Sequence, residues 1–162
     1  MLHPLGTSGR IVIVDARRAD YRPLLESELI SRLTLCFVPS ASAALRLPPC
    51  TEDRLWMINS ELPDATGFEL MEMLQDRLHR VPLMLVGERY ETEDELQACR
   101  LGAALYVCKP LNIEILRACA GRGAEAVRGS PGGNRTAAYF NSNPNRTTDL
   151  SQHNLTSMGE DT

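Results

Sequence analysis

The feature that most restricts this sequence is a repeated alternation. Short apolar runs of strand length take turns with segments whose apolar residues recur at helical spacing. Residues 11–14 (Ile-Val-Ile-Val) are continuously apolar and end in Asp15, the pattern of a strand buried on both faces. Leu25, Leu29 and Leu33 then fall on one helical face, with Pro23 near its start. Residues 34–38 read as a second strand, and residues 40–47 as a short helix stopped by Pro48 and Pro49. After a third strand at 55–58, Thr66 and Glu69 have capping-box spacing and open a helix that turns Phe68, Met71, Leu74 and Leu78 inward. A fourth strand at 83–86 is followed by Thr92 and Glu95, a second capping box ahead of Leu96, Cys99 and Ala103. Residues 104–107 form the fifth strand, and Asn112 caps a last helix carrying Ile113, Leu116 and Ala120.

Strands that alternate with helices are joined by right-handed crossovers. The expected fold is therefore α/β: a doubly wound five-stranded parallel sheet with helices on both faces. In such sheets ligands meet the carboxyl ends of the strands near the topological switch point. The residues to examine are thus Asp15, Asn59, Gly87 and Lys109.

Composition bounds the rest. A chain of 162 residues with 43% hydrophobic content suits one domain and an appendage. From Gly129 onward Asn, Ser, Thr and Gly dominate. Such a segment buries too little surface to offset its ordering entropy, so residues 129–162 are expected to be a disordered tail, residues 10–128 the domain and residues 1–9 an extension. The tail's sequons at Asn134, Asn145 and Asn154 follow from its composition. No apolar run approaches the roughly 20 residues of a membrane span, and a net charge of -4 with pI near 5.4 argues against nucleic acid. The start Met1-Leu2-His3-Pro4 lacks the features of a signal peptide, and a cytoplasmic location is expected. The five cysteines form no Cys-x-x-Cys pair, and His3, His79 and His153 have no acidic or Cys partners at ligand spacing. Neither a metal site nor a disulfide framework is expected from them.

Three motifs, taken in order, resemble the receiver domain of two-component response regulators, from Arg10 to Val127. They are Ile11-Val12-Ile13-Val14-Asp15, the turn Leu62-Pro63-Asp64-Ala65-Thr66-Gly67, and Leu101-Gly102-Ala103 followed by Tyr106-Val107-Cys108-Lys109-Pro110. The resemblance implies a phosphoacceptor aspartate four residues before Pro63, a pair of acids after the first strand that help hold Mg2+, a hydroxyl residue after the fourth strand, a lysine and a switch aromatic. In this chain those positions are Asn59, Asp15 with Ala16, Gly87, Lys109 and Tyr106. An amide is not an adequate nucleophile for acyl-phosphate formation, and Ala16 and Gly87 have lost their reactive groups. One carboxylate of the usual three is expected to remain, beside the Lys109 ammonium, which weakens any hold on Mg2+.

On this reading the domain is a pseudo-receiver with no catalytic residues, no metal and no cofactor. It would act as a phosphorylation-independent, non-enzymatic signalling adaptor. Asp15 and Lys109 would form an ion pair with the Asn59 amide, the alternative being a site for an anion or small ligand. The partner is expected to be a protein docking on the region from Thr92 to Val127, through Glu93, Asp94, Glu95, Arg100, Glu114 and Arg117. Self-association into a homodimer stays open, as do a degenerate but phosphorylatable regulator and a small-ligand sensor using the vacated pocket.

Overall fold

The computed structural model describes residues 9–114. The expected last helix begins at Ile113, after Asn112 accepts the Glu114 N–H at 2.9 Å. The rest of that helix, the tail, the N-terminal extension to residue 8 and the boundary at 128 lie outside the described residues.

Five parallel strands form one sheet in the order β2-β1-β3-β4-β5: β1 Gly9–Val14, β2 Leu33–Val38, β3 Asp53–Asn59, β4 Leu83–Gly87 and β5 Leu105–Cys108. Helices α1 Arg22–Leu25, α2 Ala41–Leu45, α3 Gly67–Leu74 and α4 Thr92–Arg100 connect them. Because successive strand residues point to opposite faces, each strand feeds two cores. Val12, Val14, Trp56, Ile58 and Leu85 pack under α2, α3 and α4, with Leu70, Met71, Leu74 and Ala98. Ile11, Ile13, Met57, Met84 and Val107 pack on the other face with Tyr21, Leu24 and Leu111. The doubly wound arrangement expected from the sequence is the one observed.

Two helices differ from expectation. In place of a helix bearing Leu25, Leu29 and Leu33, the chain makes a 3-10 turn at Arg18–Tyr21, the single turn of α1, and a second 3-10 turn at Glu28–Ile30. Leu33 opens β2 opposite Gly9, where sheet hydrogen bonds take its backbone. Leu24 is buried, while Leu25 is 39% exposed. The i, i+4 leucines imitate an amphipathic stripe, but pairing with β1 claims the last of them.

The second difference is the start of α4. Thr92 is already helical and Glu91 is the N-cap, with no side-chain cap bond. Glu95 is drawn away from the backbone because its carboxylate accepts the Tyr90 hydroxyl. The helix is turned so that Ala98 is buried and Leu96 is 52% exposed. The box at Thr66 forms as expected: its hydroxyl accepts the Glu69 N–H at 3.2 Å, and Glu69 accepts the Thr66 N–H at 2.8 Å.

Two contacts fix the loop after β3. Asp64 accepts the N–H groups of Ala41 and Ser42 at 2.9 Å each, tying that loop to the start of α2. The Gly67 N–H donates to the Ser60 carbonyl at 2.8 Å. A Cβ on Gly67 would lie 2.2 Å from the Asn59 carbonyl oxygen, so only glycine allows this approach.

Candidate functional site

The site forms where β1, β3, β4 and β5 end side by side. Asp15 follows β1 directly and is buried. Its Oδ1 accepts the Arg17 N–H at 2.8 Å. Its Oδ2 accepts from the Tyr21 hydroxyl at 2.9 Å, from Asn59 Nδ2 at 2.6 Å and from Lys109 Nζ at 2.8 Å. Asn59, the last residue of β3, also gives its amide to Glu88 Oε1 at 2.7 Å, while its Oδ1 accepts the Glu61 N–H at 2.7 Å. The amide is thus oriented by two carboxylates on one side and a backbone N–H on the other.

Lys109 follows β5, and its N–H donates to the Gly87 carbonyl at 2.9 Å. Its side chain is 8% exposed, and Nζ touches three carboxylates: Asp15 at 2.8 Å, Asp20 at 2.7 Å and Glu88 at 2.8 Å. An ammonium has three donors, and here each has a carboxylate. Arg17 adds a second cation, 3.3 Å from Glu88 Oε2.

This corrects the sequence reading of a single remaining carboxylate. Asp20 reaches the site because the 3-10 turn at Arg18–Tyr21 folds back over the strand ends, and Glu88 because β4 stops one residue before it. The sequence does carry a signal for Glu88, an acid directly after Gly87. Asp20 has none, since its approach depends on the turn. Ala16 is exposed and contributes nothing to the cluster.

Burial alone would raise the Asp15 carboxyl. The hydrogen bonds from Lys109, the Arg17 N–H, Asn59 and Tyr21 outweigh it and hold Asp15 below the ordinary carboxylate range. Glu88 behaves alike: burial opposes its ionisation, and Asn59, Lys109 and Arg17 reverse the balance. Burial pushes Lys109 down, and its three carboxylates together carry it above its usual value. Tyr21 is pushed up by burial and by Asp15, so it stays a neutral donor.

The receiver resemblance implies Mg2+. Oxygens of Asp15, Asp20 and Glu88 lie within 4.8 Å of one another, a spacing that suits a hard cation. The Lys109 ammonium already contacts all three, however, and a dication there would face it at close range. The residues as arranged do not fit a resident metal.

Tyr106 lies on β5 with its ring buried. Its hydroxyl donates to the Arg89 carbonyl at 3.2 Å and accepts the Glu91 N–H at 3.4 Å. Burial pushes that hydroxyl up, keeping it protonated. A Cβ on Gly87 would lie 2.8 Å from the Tyr106 oxygen and 3.1 Å from its Cε2. The missing side chain at position 87 is what makes room for the inward ring.

No family profile matches the sequence, and no curated protein does. Solved structures do match. The signal receiver domain of an HD domain-containing protein from Pseudomonas fluorescens aligns with a TM-score of 0.65 at 20% identity, covering 75% of this chain and 98% of that one. The BeF3-activated DrrB receiver domain gives 0.64 at 24% identity, covering 74% and 99%. The non-phosphorylated HemR receiver domain from Leptospira biflexa gives 0.63 at 21% identity, covering 78% and 99%. The chain therefore has the CheY-like receiver fold, a flavodoxin-like five-stranded parallel sheet.

Proposed function

We propose that this receiver-fold domain is a phosphorylation-independent, non-enzymatic adaptor of a two-component-type pathway, acting by binding a protein. One observation carries the reading. At the position where the resemblance implies a phosphoacceptor, Asn59 is an amide locked between Asp15, Glu88 and the Glu61 N–H. Two further features support it. The lysine that would meet phosphoryl oxygens is neutralised by three carboxylates. The switch aromatic is turned inward into the space that Gly87 leaves beside it.

The docking face on this reading starts at Thr92 and extends to Val127. Glu93, Arg100 and Glu114 are exposed as expected; Asp94 and Glu95 are only half-exposed, the latter because it holds Tyr90. Arg117 and everything after residue 114 lie outside the described residues. The test is incubation of the full chain with acetyl phosphate and Mg2+, read by intact mass. No phosphoryl adduct is expected. A stable adduct that maps to any residue of the cluster would overturn the adaptor reading in favour of a degenerate but phosphorylatable regulator.

A further inference from the structure

A cavity of about 270 Å³ opens beside the strand ends, between the loop that follows β3 and the start of α4. Ser60 and Glu61 line it from the first of these segments, and Glu88, Arg89, Glu91, Glu93 and Asp94 from the stretch that leads into α4. Glu88 is engaged with Asn59, Lys109 and Arg17, and Arg89 pairs with Glu91 at 3.0 Å. Glu61, Glu93 and Asp94 have no cationic partner among the described residues. Their crowding is felt at Asp94, whose carboxyl is pushed up by burial first and then by Glu91, Glu93 and Glu61.

The helix dipole accounts for acids in the first turn of α4. It does not account for Glu61, which comes from a different segment and faces the same space. Nor does it account for Ser60. That residue is only 7% exposed, it lines the cavity, and its hydroxyl has no hydrogen bond among the described residues. Buried hydroxyls are ordinarily paired. The cavity is thus lined by unbalanced negative charge and by a buried serine whose hydroxyl has no partner among the described residues, which is the complement of a cation rich in N–H donors.

A bare metal ion fits poorly. Among the described residues, the acids with metal-ligand spacing are Asp15, Asp20 and Glu88, and only Glu88 touches this cavity. Separated carboxylates suit a flat cation whose donors point in several directions, as a guanidinium's do.

We propose that this cavity receives an arginine side chain of a protein partner, with Glu61, Asp94 and the Ser60 hydroxyl as its acceptors. The proposal rests on the adaptor reading only in making the arginine's owner a protein; preference for a guanidinium follows from the cavity's own groups.

The experiment is a titration of the isotope-labelled full chain with N-acetylarginine methylamide, followed by amide NMR. N-acetyllysine methylamide, MgCl2 and NaCl at matched ionic strength are the comparisons. Saturable shifts at residues 60, 61, 93 and 94 are expected with the arginine probe, at least about threefold tighter than with the lysine probe. The double variant Glu61→Gln, Asp94→Asn should weaken binding at least about fivefold, and Ser60→Ala should weaken it by a smaller factor. No saturable shift, equal response to the lysine probe and NaCl, or tighter saturation of the same amides by Mg2+ would each overturn the proposal. A phosphoryl adduct on the chain, found with the arginine-specific shifts intact, would overturn the adaptor reading and leave the cavity's assignment standing.

Discussion

The two ends of the central strands each hold a partly buried charge cluster, and the two are built differently. At the N-terminal end a register shift in the β1–β3 pairing sets Arg10 opposite Asp53. Arg10 grips that carboxylate through Nε at 2.5 Å and Nη2 at 3.1 Å, and Trp56 Nε1 donates to it at 3.0 Å. One cation meets one anion, and an indole N–H closes the set. At the C-terminal end, one ammonium holds three carboxylates gathered from a 3-10 turn, a strand end and a loop. The first cluster is balanced by its own two members and pins two neighbouring strands. The second gathers three acids around one lysine, with the Asn59 amide bridging Asp15 and Glu88 and Arg17 touching only Glu88, so most of its charge balance rests on one side chain. In a receiver fold that end is where chemistry is expected, and here it is where the lysine meets three carboxylates.

Removing each cation should give the largest difference between the two ends. Lys109→Met leaves three carboxylates facing each other and should cost about 3–5 kcal/mol, since breaking a buried pair strands the partner charge. Arg10→Met strands only Asp53, which keeps the Trp56 donor, and should cost about 2–3 kcal/mol. Thermal or urea unfolding of both variants checks the order. A larger loss from Arg10→Met would mean that the three-acid cluster is more open to water than its geometry indicates.

Mg2+ offers a second way to separate the ends. Lys109→Met frees three oxygens at metal spacing, so millimolar Mg2+ should raise its unfolding temperature by mass action. The same salt should leave Arg10→Met and the unaltered chain unchanged. If the unaltered chain is stabilised equally, the lysine does not exclude the metal.

A smaller effect is expected at Gly87. Threonine there places a Cβ 2.8 Å from the Tyr106 hydroxyl, and overpacking of this kind costs about 1–3 kcal/mol. Gly87→Thr combined with Tyr106→Ala should recover much of that loss. The tyrosine amide environment in NMR reports whether the ring has been expelled.

Smallest, and broadest, is the dependence on pH. Asp15 and Glu88 titrate below their unfolded values. The stability they contribute is present above the ordinary carboxylate range, near 4, and is lost as pH falls through their lowered folded values. Lys109 titrates above its unfolded value, so its share is present below the ordinary lysine range, near 10.4, and is lost as pH rises through the raised one. Unfolding free energy should therefore be flat across neutrality and fall on the acid side, less steeply in Asp15→Asn. An unchanged acid limb in that variant would remove Asp15 from the linkage.

Much of this was legible in the sequence. The short apolar runs placed all five strands, and the order of elements implied the parallel sheet, because crossover handedness leaves few alternatives. The end of each strand brought Asp15, Asn59, Gly87 and Lys109 to one edge, since parallel strands share a direction. Side-chain convergence around Lys109 was not legible. Asp20 and Glu88 meet it across 89 and 21 residues, through a 3-10 turn and a loop whose paths no periodicity encodes. The same holds for Leu24 against Leu25 and for Glu95, where sheet pairing and a tyrosine hydroxyl overrode the local helical pattern. Backbone hydrogen bonding and burial act along the chain and leave a pattern in it; the meeting of charges from distant segments is decided only when the packed elements fix where each loop turns back.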